Sequence, residues 1–150
     1  MRRMTFIASV ALAASLASAA AALPSQPKIH PAGIPKDAVM ISPCIQRMGE
    51  HWANRKNLPT GPIYGTWHDK PVFTEIVVSV KQLQDGFNWL NIRALPGYTI
   101  DHVDFEFEPH GHAGFAVPDY NIHAYYVSPA VQATICPNGK RRASTTVKES

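Results

Sequence analysis

The 150-residue chain has a formal charge of +3, 45% hydrophobic residues and only two cysteines. That length suits one domain with one core. Two of its basic residues, Arg2 and Arg3, belong to an export signal, and removing them lowers the charge from +3 to +1. The nearly neutral remainder lacks the basic footprint of a nucleic-acid-binding protein.

Arg2 and Arg3 precede an Ala-rich apolar run over residues 4–16 that contains no acid. Ala17-Ser18-Ala19 and Ala20-Ala21-Ala22 offer small-residue cleavage sites, so residues 1–22 read as a signal peptide cut after Ala19 or Ala22. The apolar stretch is nearly long enough for an uncleaved anchor, but the small residues favour cleavage, with no stable membrane insertion afterwards. No cysteine stands at the cut, which argues against a lipoprotein. A secreted or periplasmic location follows. There, Cys44 and Cys136 are expected to form a disulfide rather than a thiolate metal site. Residues 23–36 form a proline-rich lead-in arm, residues 37–137 a single globular domain, and residues 138–150 a flexible basic tail carrying Lys140, Arg141 and Arg142.

Thirteen prolines and nine glycines across the chain punctuate short segments. Residues 63–67 predict a strand, 68–70 a turn, and 71–78 a second β-branched and aromatic strand, together a hairpin. Ser79 is placed to cap a short helix that stops at Gly86. Residues 87–94 fit strand or helix. Residues 98–108 give the clearest strand: Val103, Phe105 and Phe107 alternate with His102, Asp104, Glu106 and Glu108. Residues 121–127 predict another strand, with His123 and Tyr125 on one face. Ser128-Pro129 opens a final short helix towards Cys136. The expected class is α+β, mainly β: a compact antiparallel sheet or barrel-like domain with two short helices.

Four of the seven histidines fall within residues 102–123. In an extended chain His110 and His112 would point the same way, and a returning strand would bring His123 beside them. Such an H-x-H pair with a third histidine is a recurrent zinc, copper or iron arrangement. The cupin version needs a glutamate where Ala116-Val117 stand, and is not supported. His51, in Met48-Gly-Glu-His51-Trp52, and Glu75, in an otherwise apolar strand, are further candidate ligands. Glu75 is either buried with a partner or placed at a wet strand edge. The acidic face of residues 102–108 has two readings: a solvated face of an antiparallel strand, or the mouth of a pocket in which carboxylates do acid/base work.

Taken in order, Met48-Gly-Glu-His51-Trp52, Gly61-Pro-Ile-Tyr64-Gly65, Glu75, His102-Val-Asp, Pro109-His-Gly-His112 and Pro118-Asp-Tyr-Asn-Ile-His123-Ala-Tyr125 resemble a bacterial family of secreted proteins classed as a domain of unknown function, the Thermus-type family. The resemblance spans about residues 40–135. It implies a shared site drawn from His51, Glu75, His112 and His123. This chain departs from the family pattern in the last motif, where Asp119 stands in place of a histidine and Asn121 in place of an aspartate.

The expected function is an exported metal-binding protein. His112 and His123 lead as ligands, followed by His110, His51 and Glu75, for a divalent transition metal such as Zn, Cu, Fe or Mn. If the site hydrolyses a substrate, Glu106 or Glu108 is the candidate base. The alternative is a non-catalytic binding or assembly module, in which the His/acid cluster is a structural hydrogen-bond network. The partners expected are a metal ion, with a small-molecule ligand or a second copy of the chain as further candidates.

Overall fold

A computed structural model describes residues 29–112 and 114–139. The signal segment, the first part of the arm and the basic tail lie outside the described residues. Six antiparallel strands form one sheet: β1 (Val39–Ile45), β2 (Gly49–Ala53), β3 (Ile63–Trp67), β4 (Lys70–Ser79), β5 (His102–Glu108) and β6 (Asp119–Tyr125). Their order across the sheet is β1-β2-β3-β4-β6-β5. Two short helices, α1 (Val80–Gln84) and α2 (Pro129–Gln132), complete the α+β, mainly β fold. No described helix is long and apolar enough to cross a membrane.

The local chemistry accounts for these elements. The β3–β4 hairpin turns at His68 and Asp69, both at positive φ. Ser79 caps α1 through a full capping box with Gln82. Ser128 caps α2, and Pro129 occupies the first turn. β4 is central, and its residues from Pro71 to Ser79 are all buried, because the sheet is covered on both sides there. Residues 87–94, open to either reading, form neither strand nor helix.

Directly opposed residues share a face, so the register defines two surfaces. On one, the row His51–Gly65–Phe73–Tyr125–His102 crosses β2 to β5. The next row is Ala53–Ile63–Glu75–His123–Asp104, and beyond it lie Val77–Asn121–Glu106 and Ser79–Asp119–Glu108. Phe115 and Ile41 pack over Ala53, Ile63 and Val77 on this face. Met48, Phe73, Tyr125, Ile135 and Cys136 form the neighbouring apolar cluster. Cys44 and Cys136 are disulfide-bonded with Cα atoms 5.9 Å apart, tying β1 to the segment after α2.

The opposite face carries Trp52 and Tyr64, packed with Ile34, Ala38 and Leu95. The described end of the lead-in arm is anchored at Pro31 and Ile34, with the residues around them exposed. Ile34 is buried, and the His30 ring meets Trp52 edge-on at 5.3 Å.

Candidate functional site

Glu75 resolves to the buried alternative. Its side chain sits on the central strand between two histidines from neighbouring elements. Oε1 lies 3.3 Å from His123 Nε2, and Oε2 lies 3.8 Å from His51 Nε2. His123 is fully buried, while Glu75 and His51 are buried with only slight exposure. The other ring nitrogen of His123, Nδ1, is 3.3 Å from Glu106 Oε2, a carboxylate that reaches solvent. The four residues form a line from the surface into the sheet: Glu106, His123, Glu75, His51.

Electrostatics decides the state of His123. Burial penalises its charged form and pulls its pKa down, but Glu75 and then Glu106 outweigh burial and raise it from 6.5 to about 9. An imidazolium donates from both nitrogens, which suits a ring held between two carboxylates. Phe73 packs against both histidines of this line. Its ring meets His51 edge-on at 5.3 Å and His123 at 4.9 Å.

A second group lies along the same face. His112 Nε2 is 2.9 Å from Asn121 Oδ1 and 3.2 Å from Asp119 Oδ1. Asp119 and Asn121 are fully buried. Together they receive one imidazole. The His112 loop is held by reciprocal backbone hydrogen bonds with Phe115, each 2.9 Å.

A third group surrounds Gln132, which is buried on α2. Its amide donates to Asp104 Oδ2 at 2.9 Å, and its carbonyl oxygen lies 3.3 Å from His102 Nε2. His102 stacks on Tyr125 at 4.9 Å with the ring planes 7° apart. Burial raises the Tyr125 phenol well above its ordinary value, against the lowering effect of a hydrogen bond with Gln132.

The structure thus brings together His51, Glu75, His123 and Glu106, and places His112 in a separate contact with Asp119 and Asn121. His110 is exposed in a turn. The H-x-H pair is not extended, because Gly111 adopts φ +63° between the two histidines. Glu108 is opposed to Asp119 at the end of β5 and lies beyond the His123 contact. Gln132, Tyr125, Asp119 and Asn121 join the site without having been expected in it. The two-residue spacing Asp119, Asn121, His123, Tyr125 is the signal that could have found three of them, since it places all four on one face of a strand.

The acidic side of β5 faces this site. Its apolar residues are the more exposed: Val103, Phe105 and Phe107 are 56%, 59% and 46% exposed. The acids of the other face are partly solvated and partly engaged, with the Asp104 and Glu106 side chains 33% and 38% exposed. The acids have partners from β6 and α2, namely His123 for Glu106 and Gln132 for Asp104.

Among the described residues, no group of three or more His, Cys, Asp or Glu side chains is set to hold a metal ion as it stands. His51, Glu75 and His123 nevertheless have the donor chemistry of a metal site, because two imidazole nitrogens face the two oxygens of one carboxylate.

No family model matches the chain, and no curated protein matches it. It is similar to the crystal structure of a hypothetical protein from Thermus thermophilus. The two share 26% identity with a TM-score of 0.54, over 61% of this chain and 89% of that one.

Proposed function

We propose that this chain is an exported metal-binding protein whose site is centred on His51, Glu75 and His123. The observation that carries the reading is the approach of His51 Nε2 and His123 Nε2 to the opposite oxygens of one buried carboxylate, at 3.8 and 3.3 Å. A divalent transition metal (Zn, Cu, Fe or Mn) would take those three side chains as ligands and supply Lewis-acid chemistry of the kind used in hydrolysis. Glu106 then has a positioning role rather than that of a base. By accepting from Nδ1 it fixes the tautomer that leaves Nε2 available, as carboxylates commonly do for ligand histidines. Glu108 remains the candidate base only if substrate reaches the outer end of β5.

Export is supported by the N-terminal signal in the sequence and by the Cys44–Cys136 disulfide. The Thermus structural neighbour is a hypothetical protein and carries no activity with it.

Elemental analysis of protein purified from its export compartment without chelator tests the proposal. About one metal per chain is expected, lost in His51→Ala and His123→Ala and kept in His112→Ala. Absence of metal, together with no thermal shift on adding Zn, Cu, Mn or Fe, overturns it.

One observation favours a second reading. His123 already has a carboxylate at each ring nitrogen, so the group satisfies itself as an ion network. On that reading the cluster fixes the sheet of a non-catalytic binding or assembly module, and metal leaves stability unchanged.

A further inference from the structure

His112 stands apart from the His51–Glu75–His123 group and has its own set of donors. Its Nε2 faces two oxygens at once, Asn121 Oδ1 at 2.9 Å and Asp119 Oδ1 at 3.2 Å. Both oxygens are acceptors, and a single N–H serves two acceptors less well than one. A nitrogen and two oxygens that converge in this way also have the geometry of a coordination sphere. Around a divalent ion with bonds of about 2.1 Å, neighbouring ligand atoms lie about 3.0 Å apart in an octahedron and about 3.4 Å apart in a tetrahedron. The two observed separations lie at the first of these edges and between the two.

The chain holds the three donors firmly. Asp119 and Asn121 are two residues apart on β6, so they share a face, and both are fully buried. His112 arrives from a loop closed by its backbone hydrogen bonds to Phe115. That loop packs its own backbone against Gly111, where a Cβ would run into the carbonyl oxygens of Phe115 and Val117. The His112 side chain is 35% exposed, which leaves one side open to water.

Charge points the same way. Glu108 on β5 is directly opposed to Asp119. Like charges in that relation are unfavourable, and a cation between Asp119 and His112 offsets the repulsion. One imidazole, one carboxylate and one amide oxygen, completed by water, favour an oxygen-seeking ion over a thiolate-seeking one.

We propose that His112 Nε2, Asp119 Oδ1 and Asn121 Oδ1 form a second cation site for a divalent ion of the manganous type. In the bound state the His112 ring carries its proton on Nδ1. With a single carboxylate in contact, the expected affinity is weak, about 10⁻⁴–10⁻³ M, as in exchangeable extracellular cation sites. Such an ion is lost during purification, so it adds nothing to the metal retained at His51, Glu75 and His123.

Manganous ion titrated into the purified protein, with the free ion followed by electron paramagnetic resonance, tests the proposal. Wild type is expected to take up one more ion per chain than His112→Ala. Asp119→Asn is expected to weaken that ion at least about tenfold, since even a residue behind a metal ligand commonly matters on this scale. His123→Ala is expected to keep it. His112→Ala carries the test if Asp119→Asn fails to fold, because its ring is partly exposed and its loop is closed by backbone bonds. Equal uptake by wild type and His112→Ala overturns the proposal and leaves a hydrogen-bonded contact only. Loss of one and the same ion in His112→Ala and His123→Ala also overturns it, because the two groups would then be a single site.

Discussion

Glu75 and His123 oppose each other directly across the β4–β6 ladder, with Oε1 3.3 Å from Nε2 and side-chain exposures of 5% and 0%. A buried ion pair of this kind is poor evidence of net stabilisation, because desolvation offsets much of the attraction. Removing one partner is a different matter, since it strands the other. Glu75→Gln is expected to lower stability by about 3 kcal/mol or more. The double variant Glu75→Gln with His123→Gln is expected to lose less than the sum of the two single variants. Denaturant unfolding of all four proteins measures this coupling. Strict additivity would mean that the two side chains do not act as a pair.

The raised pKa of His123 has a definite consequence for stability against pH. Its folded value, about 9, lies above the ordinary 6.5 expected in the unfolded chain. The folded state therefore holds this proton more tightly. The contribution is fully present below pH 6.5 and is lost as pH rises through 9. Metal-free protein is expected to show a denaturation midpoint that falls between those values, with the fall reduced in His123→Gln. An NMR titration in which the His123 ring loses its proton near its ordinary pH of 6.5 would contradict the charged assignment.

The disulfide closes a long loop, with its cysteines 92 positions apart. Chain-entropy arguments give about 4–5 kcal/mol for a closure of that length. Reduction, or Cys44→Ser with Cys136→Ser, is expected to lower stability on that scale and to loosen β1 first. β1 is an edge strand with register shifts on both sides of Ser42. Hydrogen exchange localised to residues 39–45 would register the loosening. Uniform exchange across the sheet would place the effect elsewhere.

Several elements of this fold are legible from residue spacing. The β3–β4 hairpin, the strand ending at Glu108 and the capped starts of both helices follow from β-branched runs, period-two alternation and Ser caps. Alternation, however, sorts residues into two faces without saying which face looks inward. In β5 that choice is made by His123 and Gln132, contributed from elsewhere in the chain, so the acids turn in and Phe105 turns out. His110 and His112 are not set in one extended run, because a positive φ at Gly111 breaks the geometry that two-residue spacing assumes. The Glu75–His51 contact is not readable from spacing at all, since it depends on strand order and register. β1 carries Pro43 and two irregularities in its pairing, and shows no clean period.

Gly65 supplies the sharpest test of how the site is held. It lies in the row between His51 and Phe73, and a Cβ added there would run into the Phe73 ring. Phe73 is fully buried and is the ring that touches both His51 and His123, so it has no free direction of retreat. The glycine is required here by close approach across the ladder rather than by its backbone angle. Gly65→Ala is expected to destabilise by about 1–3 kcal/mol, the usual range for overpacking a closed core. Because the displaced ring must press on the histidines, the His123 and His51 ring resonances are expected to move more than those of His112. Gly65→Ala paired with Phe73→Leu, which returns the space, is expected to recover part of the loss. A single variant as stable as the wild type, with unmoved histidine resonances, would show that Phe73 is not what holds the two rings in place.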